Sequence, residues 1–287
     1  MTPPILIIDC HAIGHAAKHT YGALSHDGSP TGVIYGFLIK ILTLARDFKT
    51  NKFVFAWDSG KSFRRGIYPE YKNKDIEYSA EEVEELRHAK HQFADLRIDV
   101  LPRLGFKNIF IQTGLEADDI IASVVMNNEG NKIVVSDDRD LYQLLDYCNI
   151  FKIKKKVIYT KESLNKSWGC TPDEWREMKL YAGCTGDNVP NIPRVKEKTA
   201  IKYIKGTASA KITCEISRVV SSESEFIERN RKLTSLPFEG TEIIKLNDFP
   251  PLKFNEIYRV CSDLGFNSLL FKKNYQHIWQ FLCEEEV

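Results

Sequence analysis

The sequence lacks the features of a membrane or secreted protein. No apolar stretch approaches the about 20 residues that a membrane-spanning helix needs. The opening residues, MTPPILIID, have no basic start and reach a charge at Asp9, which argues against a secretion signal. With 43% hydrophobic and 28% charged residues and no low-complexity segment or repeat, the chain has an ordinary globular composition. We therefore expect a folded protein located in the cytoplasm.

Several familiar catalytic and metal motifs are also missing. The seven cysteines are odd in number and form no CxxC pair, so neither a disulfide framework nor a zinc knuckle is predicted. No P-loop or Ser-His-Asp arrangement is visible, and no nucleotide cofactor is expected. His11, His15 and His19 repeat every four residues, but no cysteine or carboxylate set completes a zinc site. A solvated helical stripe is the favoured interpretation of these histidines.

A net charge of only +1 hides an uneven distribution of charge. A dedicated nucleic-acid binder is often basic overall, so the total argues weakly against that class. However, residues 61–74 carry five basic side chains against Glu70 alone, and residues 152–161 carry five lysines without an acid. If the acidic clusters described below bind dications, the remaining surface is more basic than the total indicates.

The first half of the chain alternates strand-like and helix-like segments. Four short apolar runs rich in β-branched or aromatic residues, as in strands buried on both faces, occupy residues 5–8, 53–57, 109–111 and 133–135. Helical patterns cover residues 31–46, 79–104, 116–127 and 139–145. This alternation predicts an α/β fold with a parallel sheet.

The second half is predicted to be mostly helical. Strand signals fade after Lys161, and Thr171, Pro172 and Glu174 have the pattern of a capped helix start. Helical patterns continue to residues 266–282. We place a soft boundary near residues 165–171, which divides the chain into an α/β core at 1–168 and a helical region at 169–287.

Carboxylates follow the predicted strands. Asp9 comes directly after the first run, Asp58 after the second, and Asp138 and Asp140 after the fourth. The carboxyl ends of parallel strands meet at one edge of a sheet, where ligands bind, so these groups should converge there. A further acidic group, GLEADD at 114–119, opens a helix whose positive N-terminus favours ionised acids.

Each acid alone has an ordinary explanation as a turn residue or a helix cap. As a set they would repel one another strongly unless cations neutralise them. Oxygen ligands select Mg²⁺ or Mn²⁺ rather than zinc. Two such ions about 4 Å apart commonly activate water for in-line attack on phosphorus, which suggests a phosphodiester substrate.

Five motifs occur in an order and spacing that resemble the 5′-nuclease superfamily, which includes flap endonucleases, phage 5′-exonucleases and the 5′-nuclease domain of bacterial DNA polymerase I. They are LIIDCHA, FAWDSGKSFRRGIYPEYK, GLEADD, VSDDRDLYQLL and TGDNVPNIPRVKEKTA, and the resemblance runs from residue 5 to about 206. It implies a PIN-like nuclease core, a helical arch at about 63–101, and a helix-three-turn-helix that grips duplex DNA after Asp187.

The resemblance also implies roles for individual residues. The first metal cluster would be Asp9, Asp58, Glu116 and Asp118, with Asp119 in support, and the second would be Asp138, Asp140 and Asp187. Lys72 and Arg64 would be catalytic, supplying positive charge to the phosphate. DNA would be bound by Arg65, by Tyr68 and Tyr71 against an unpaired base, and by Lys196, Lys198 and Lys202 on duplex phosphates. Core packing is an equal alternative for Tyr68.

Two departures from the family pattern affect these expectations. Cys184 stands where the pattern Gly-Asp-x-x-Asp-Asn places a carboxylate of the second site, and a thiol is a poor Mg²⁺ ligand. We therefore expect two Mg²⁺ or Mn²⁺ ions, with the second bound weakly. The turn where relatives show Gly-x-Gly is Arg194-Val195-Lys196, which predicts an altered duplex anchor.

The favoured function is a divalent-metal-dependent 5′-3′ exonuclease and 5′-flap endonuclease that hydrolyses DNA at 5′ ends, nicks or flaps by a two-metal mechanism. Two alternatives stay open: a branched-DNA-binding protein with little turnover, suggested by Cys184, and a PIN-type ribonuclease, disfavoured by the DNA-binding segment. A monomer in a bacterial cell or phage-infected host is expected.

Overall fold

A six-stranded sheet lies at the centre of the computed structural model, which describes residues 2–73 and 77–284. The strands are β1 (Ile5–Asp9), β2 (Ser25–His26), β3 (Ser29–Pro30), β4 (Phe53–Ala56), β5 (Ile109–Phe110), β6 (Lys132–Val135), β7 (Asn149–Lys152) and β8 (Val157–Tyr159). The main sheet has the order β5-β4-β1-β6-β7-β8, and β2 pairs with β3 in a small separate hairpin. All neighbours in the main sheet are parallel except β7 and β8.

The register of the central strands places their carboxyl ends together. β1 lies between β4 and β6, with Asp9 opposite Ala56 and Ile8 opposite Val135. The residues that follow β4 and β6 therefore emerge beside Asp9 at one edge of the sheet. This is the edge that the sequence predicted for the acidic groups.

All four predicted strands are present, and the sheet is mostly parallel, with one antiparallel pair at its edge. The sequence patterns did not predict β7 or β8, and β8 runs antiparallel to β7 at the sheet edge. β7 carries polar residues at both ends, Asn149 and Lys152, so its apolar centre is too short to give a strand signal. The result is a mixed, mostly parallel sheet of the kind that is common among α/β folds.

Helices cover both faces of the sheet and form most of the chain after β8. They are α1 (Cys10–Tyr21), α2 (Gly32–Phe48), α3 (Phe63–Ile67), α4 (Ala80–Asp95), α5 (Leu101–Leu104), α6 (Ala117–Asn127), α7 (Lys161–Trp168), α8 (Pro172–Ala182), α9 (Glu197–Ile204), α10 (Ala210–Ser222), α11 (Ser224–Thr234), α12 (Phe254–Asp263), α13 (Asn267–Phe271) and α14 (Lys273–Cys283). A π-helical turn at Leu96–Val100 joins α4 to α5, and 3₁₀ turns occupy Asp140–Leu144 and Thr185–Asp187. None of the helices in the described ranges is long and apolar enough to span a bilayer.

Local capping explains where the predicted helices begin. The hydroxyl of Thr171 accepts a hydrogen bond from the backbone N–H of Glu174, and the backbone N–H of Thr171 donates to the Glu174 carboxylate. Pro172 occupies the first turn of α8, as predicted. The predicted helix at 139–145 is instead a 3₁₀ turn, and the one at 266–282 is interrupted at Lys272.

Two hydrophobic cores lie on the two faces of the sheet. Alternate side chains of a strand point to opposite faces. Leu6 and Ile8 therefore belong to the core that includes α1, α2, α4 and the C-terminal helices, whereas Ile7 belongs to the core that includes α6 and α8. Complete burial of each such side chain contributes about 1.5–3 kcal/mol. The second core holds α8 firmly beside the strand edge that carries the acids.

Candidate metal centre and nucleic-acid interface

Asp9 lies at the junction of β1 and α1. One oxygen accepts a hydrogen bond from the backbone N–H of Ala12 at 3.0 Å, and the other accepts one from the hydroxyl of Ser136 at 2.9 Å. Burial raises the pKa of Asp9 to about 6, with the Ala12 hydrogen bond opposing this rise and the carboxylates of Asp58 and Asp138 adding to it. Asp9 therefore sits among like charges.

Asp58 connects the end of β4 to the start of α6. Its Oδ1 accepts the backbone N–H of Ala117 at 2.7 Å, and its Oδ2 lies 3.1 Å from Nδ1 of His11. The His11 ring contacts Trp57 and Phe93 edge-on at centroid distances of 5.7 and 5.0 Å. This histidine belongs to the four-residue repeat, and it contacts a predicted metal ligand instead of facing solvent alone.

Glu116, which caps α6, accepts hydrogen bonds from three side chains. It accepts hydrogen bonds from the hydroxyls of Ser62 and Tyr71, at 2.9 and 3.0 Å, and from Nζ of Lys72 at 2.8 Å. Burial would raise the pKa of Glu116, but the charges of Lys72 and Arg64 outweigh burial and lower it. Glu116 is therefore held as a carboxylate.

Asp118 completes the first acidic group. Burial raises the pKa of Asp118 well above its usual range, and the charges of Asp138 and Asp9 raise it further. The charges that act on Asp118 therefore come from Asp9, at the end of β1, and from Asp138, after β6. Such mutual repulsion is what a bound dication would relieve.

The second acidic group contains a thiol and a lysine. Oδ1 of Asp140 accepts a hydrogen bond from Nζ of the buried Lys179 at 2.5 Å. The Sγ of Cys184 lies 3.7 Å from Oδ2 of Asp140 and 3.6 Å from Oδ2 of Asp187. One donor atom from each of Asp140, Cys184 and Asp187 falls within 4.8 Å of the others. Oδ1 of Asp138 accepts the backbone N–H of Asp140 at 2.7 Å, so Asp138 shapes the same turn.

Burial raises the pKa of two members of this second group, Cys184 and Asp187. Burial, with the charge of Asp140, raises the pKa of Cys184 to about 12. Burial also raises the pKa of Asp187, against the opposing charge of Lys72. The group contains three carboxylates, Asp138, Asp140 and Asp187, against four in the first.

Lys72 links the two acidic groups. Its Nζ lies 2.8 Å from Glu116 and 3.9 Å from Asp187, and its backbone N–H donates to the carbonyl of Asp187 at 2.9 Å. The side chain keeps 40% of its exposure and, with Arg65, lines a 160 Å³ cavity that opens onto Asp58 and Glu116. Both basic residues can therefore reach a bound anion.

Arg64 and Asp119 pair with each other inside the protein. The guanidinium makes two hydrogen bonds to the carboxylate, at 2.6 and 2.8 Å, and donates from Nε to the carbonyl of Leu233. The side chains are 2% and 0% exposed. Asp119 also accepts the backbone N–H groups of Glu116 and Phe238. The structure thus brings Arg64 and Asp119 together but presents neither to a phosphate or an ion.

The two tyrosines have different environments. Tyr71 is buried and its hydroxyl is committed to Glu116, so its ring is not free to stack on a base. Tyr68 is half-buried, and the guanidinium of Arg229 lies 4.9 Å from its ring centre. Tyr68 therefore packs against Arg229 at the surface.

The predicted duplex-binding lysines lie on and before α9. Lys196 precedes the helix, Lys198 and Lys202 lie on it, and all three are exposed. A cavity of about 530 Å³ is lined by residues 137–140, by Cys184 and Asp187, and by Lys196. This cavity joins the second acidic group to the start of α9.

Residues 4–169, more than half of the chain, match the family described as the 5′-3′ exonuclease, N-terminal resolvase-like domain. The chain belongs to this family. Among relatives of the family, a 5′-3′ exonuclease of Buchnera aphidicola subsp. Schizaphis graminum is 28% identical over 88% of this chain and 83% of its own length. DNA polymerase I of Bacillus subtilis is 28% identical over 93% of this chain, which spans about a third of that longer protein.

The fold of this chain is also found among solved structures. A crystal structure of the bacteriophage T5 D15 flap endonuclease, in a pseudo-enzyme-product complex with DNA and metal ions, superposes with a TM-score of 0.66. The alignment covers 98% of this chain and all of that one at 20% identity, which shows a shared fold. The family match and the shared fold agree with the resemblance seen in the sequence motifs, and the family match places the chain in the 5′-nuclease superfamily.

Three residues of the site have no counterpart in the sequence prediction. Ser136 and Ser62 donate to Asp9 and Glu116, and Lys179 neutralises Asp140. Serines near strand ends are common turn residues, so they gave no signal. Lys179 lies between apolar residues of α8, which indicates a buried amine but does not identify its partner. Within the 5′-3′ exonuclease family fold, these residues complete the acidic edge.

Proposed function

We propose that this protein is a divalent-metal-dependent nuclease that hydrolyses DNA at 5′ ends, nicks and flaps. The observation that carries the proposal is the convergence of Asp9, Asp58, Glu116 and Asp118 from three separate segments onto one sheet edge. Burial and mutual repulsion raise the pKa of Asp9 and Asp118 there. Family membership and the fold support the same conclusion.

The first acidic group fits a hard dication. All its donors are oxygens, as Mg²⁺ and Mn²⁺ prefer. Glu116 is paired with Lys72, whereas Asp9 and Asp118 form no ion pair with any residue in the described ranges. When bound, such an ion would lower the pKa of water and polarise a phosphoryl oxygen. Asp9, Asp58, Glu116 and Asp118 would hold it, with Ser136, Ser62 and Ala117 orienting the carboxylates.

The second acidic group fits a hard dication less well. Asp140 is already neutralised by Lys179, and Cys184 contributes a sulfur where an oxygen would be preferred. Asp138 and Asp187 are the remaining oxygen donors. We propose that a second Mg²⁺ or Mn²⁺ binds here more weakly than the first.

The basic residues near the first group have separate roles in this proposal. Lys72, half-exposed between Glu116 and Asp187, would donate to the phosphate as its oxygens gain charge. Arg64 and Asp119 would act as positioning residues, because their buried pair holds the start of α6 and the backbone of Glu116 in place. Arg65 would contact the DNA backbone, and Tyr68 and Tyr71 would support this surface through packing and the Glu116 hydrogen bond.

The helical region would bind the duplex. We propose that α8, the turns after it and α9 form the helix-three-turn-helix, with Lys196, Lys198 and Lys202 on duplex phosphates. The buried side chain of Asn230 donates to the carbonyls of Leu180 and Pro190, which fixes α8 to the following loop. The division between residues 168 and 169, a monomeric state and a cytoplasmic location belong to the same proposal.

A second candidate function is a branched-DNA-binding protein with little turnover. The specific observation in its favour is the composition of the second group. Cys184 supplies a thiol in place of a carboxylate, and the ammonium of Lys179 already neutralises Asp140. The two candidates make the same prediction for DNA binding and opposite predictions for cleavage.

Cleavage of a 5′-flap substrate labelled on the flap tests the proposal. With Mg²⁺ or Mn²⁺ the wild-type protein should release the label, EDTA should stop release, and Asp9→Asn should slow it by about 10²-fold or more while binding is kept. Binding without cleavage by the wild type under every metal condition would favour the second candidate. Absence of both activities would refute the two together.

A further inference from the structure

The five lysines of residues 152–161 have three different environments. Lys152 is buried and donates to the carbonyl oxygens of Asp137 and Asp138 at 2.8 and 3.0 Å. Lys161 is paired with Asp146. The other three, Lys154 to Lys156, are exposed at the turn between β7 and β8 and form no ion pair among the described residues. The uncompensated charge of the run is therefore concentrated in one turn.

This turn is fixed next to the acidic edge. β7 runs parallel to β6, so the turn leaves the sheet at the edge where Asp138 and Asp140 lie. The backbone N–H of Lys156 donates to the carbonyl of Lys152 at 2.8 Å and closes the turn, and the N–H of Lys154 donates to the Asp137 carboxylate at 3.2 Å. The loop that contacts the turn also shares a cavity with Lys196.

Lys40 of α2 adds to the positive charge. Its Nζ lies 5.8 Å from the ring centre of Phe151 on β7, and burial together with nearby Lys156 lowers the pKa of Lys40. Two acids act on Lys40, Asp47 and Asp137. Asp47 is paired with Arg46, and Asp137 accepts the backbone N–H of Lys154. A surface with this excess of positive charge attracts a polyanion.

We propose that the turn at Lys154 to Lys156, with Lys40 beside it, is a second phosphate-contact surface that binds the backbone of duplex DNA. It would act in addition to the α9 lysines and would extend the duplex footprint across the carboxyl edge of the sheet. The inference rests on the proposed function, because it assigns a further part of the substrate to this edge.

The chemistry of the turn favours duplex over single-stranded DNA. Single strands are usually held by basic grooves with aromatic rings on which the bases stack. The side chains exposed next to the lysines are the aliphatic Val157 and Ile158, and Tyr159 is stacked on Tyr142 at 4.5 Å. Lysines on a rigid turn act as point charges, which suits sequence-independent contact with duplex phosphates.

The test compares two variants that lose the same charge. Lys154→Gln with Lys155→Gln removes the proposed contact, whereas Lys49→Gln with Lys107→Gln removes two exposed lysines next to the amino-terminal ends of β4 and β5, at the opposite edge. Binding to a fluorescent 5′-flap duplex is measured by anisotropy in EDTA over a range of salt concentrations. The first variant should bind at least about fivefold more weakly at 0.1 M salt, with the slope of log affinity against log salt reduced by about 1 to 2. The control variant should bind like the wild type.

Further arms separate the possible failures. Lys155→Glu should weaken duplex binding more than Lys107→Glu, and thermal unfolding of each variant should match the wild type. Equal effects of the turn variant and its control, or a larger loss for a single strand of the same length than for the duplex, would overturn the proposal. Wild-type flap cleavage is measured in parallel with Mg²⁺. If cleavage is present and the turn variant binds normally, only this inference fails; if the wild type neither binds nor cleaves, the proposed function fails as well.

Discussion

The Nζ of Lys179 lies 2.5 Å from Oδ1 of Asp140, with the lysine side chain only 4% exposed. Lys179 is thus an internal counter-ion at the place where the second dication would be expected. Burial would lower the pKa of Lys179, but the charge of Asp140 outweighs burial and raises it, and removing one partner leaves the other uncompensated.

This pair predicts a metal-dependent stability in a Lys179→Met variant. Without metal the variant should be destabilised by about 3 kcal/mol, because Asp140 loses its buried partner. Mn²⁺ should restore more stability to the variant than to the wild type, since the ion can take the vacated charge position. Urea unfolding with EDTA or Mn²⁺ measures both effects. An equal Mn²⁺ response in the two proteins would show that Asp140 does not contact the ion.

Replacing Cys184 by Asp should strengthen the second site. The change supplies a hard oxygen donor beside Asp140 and Asp187, so Mg²⁺-supported flap cleavage should rise, by about tenfold if the ion contributes one tightly held oxygen more. Cys214→Asp, at an exposed position on α10, is the control. No gain over this control would mean that the thiol is not what limits the site.

Lys72→Ala should reduce turnover with little loss of DNA binding. Loss of one donor to the developing charge costs about 10²- to 10³-fold in turnover. Lys61→Ala removes an exposed lysine from the same cavity and serves as control. Single-turnover cleavage and anisotropy separate the two quantities. A loss confined to binding would contradict the catalytic role.

The buried pair of Arg64 and Asp119 should be a stability element. Arg64→Met alone should lower the free energy of unfolding by about 3–5 kcal/mol, because it leaves a buried carboxylate unpaired. The double replacement Arg64→Met with Asp119→Leu should lose less, since no charge stays uncompensated. Urea unfolding of the single and double variants tests this. Near-wild-type stability of Arg64→Met would argue against the pairing.

The raised pKa of Asp9 predicts a pH-dependent effect on metal-free stability. The folded pKa, about 6, exceeds the ordinary value of 3.8, so the folded state binds this proton more tightly. Protonated Asp9 therefore contributes to the free energy of unfolding in full below pH 3.8, and this contribution is lost as the pH rises to about 6. Above that range, Asp9→Asn should therefore stabilise the metal-free protein, by about 1–3 kcal/mol.

Unfolding in EDTA at about pH 5 and about pH 8 measures this difference. The gain from Asp9→Asn should be larger at the higher pH and should disappear on addition of Mn²⁺, which the wild type alone binds well. A gain that is independent of pH would assign the effect to packing.

The strands and the acidic edge were predictable because they depend on local patterns. Short β-branched runs mark buried strands, and parallel pairing brings their ends together, so Asp9, Asp58 and Asp138 could be assigned to one place from the sequence. β7 was missed because polar residues at its ends shorten the apolar signal.

The partners of the charged groups could not be predicted in the same way. Arg64 and Asp119 are 55 residues apart, and Lys179 and Asp140 are 39 apart, so their pairing depends on tertiary packing. Sequence reasoning consequently treated Arg64 as available for phosphate, whereas its geometry is that of a structural cation. The lysines at 152–161 form one basic run in the sequence, and only the fold divides them into buried, paired and exposed groups.

The bond between the backbone of Lys72 and the carbonyl of Asp187 joins two distant stretches of chain at a single point. Any movement of the segment that follows α8 would therefore also move Lys72 and its ammonium group. In the proposed function, binding of the duplex and placement of the Lys72 ammonium beside the phosphate would then be coupled. A substrate bound in the wrong position would leave the ammonium away from the phosphate.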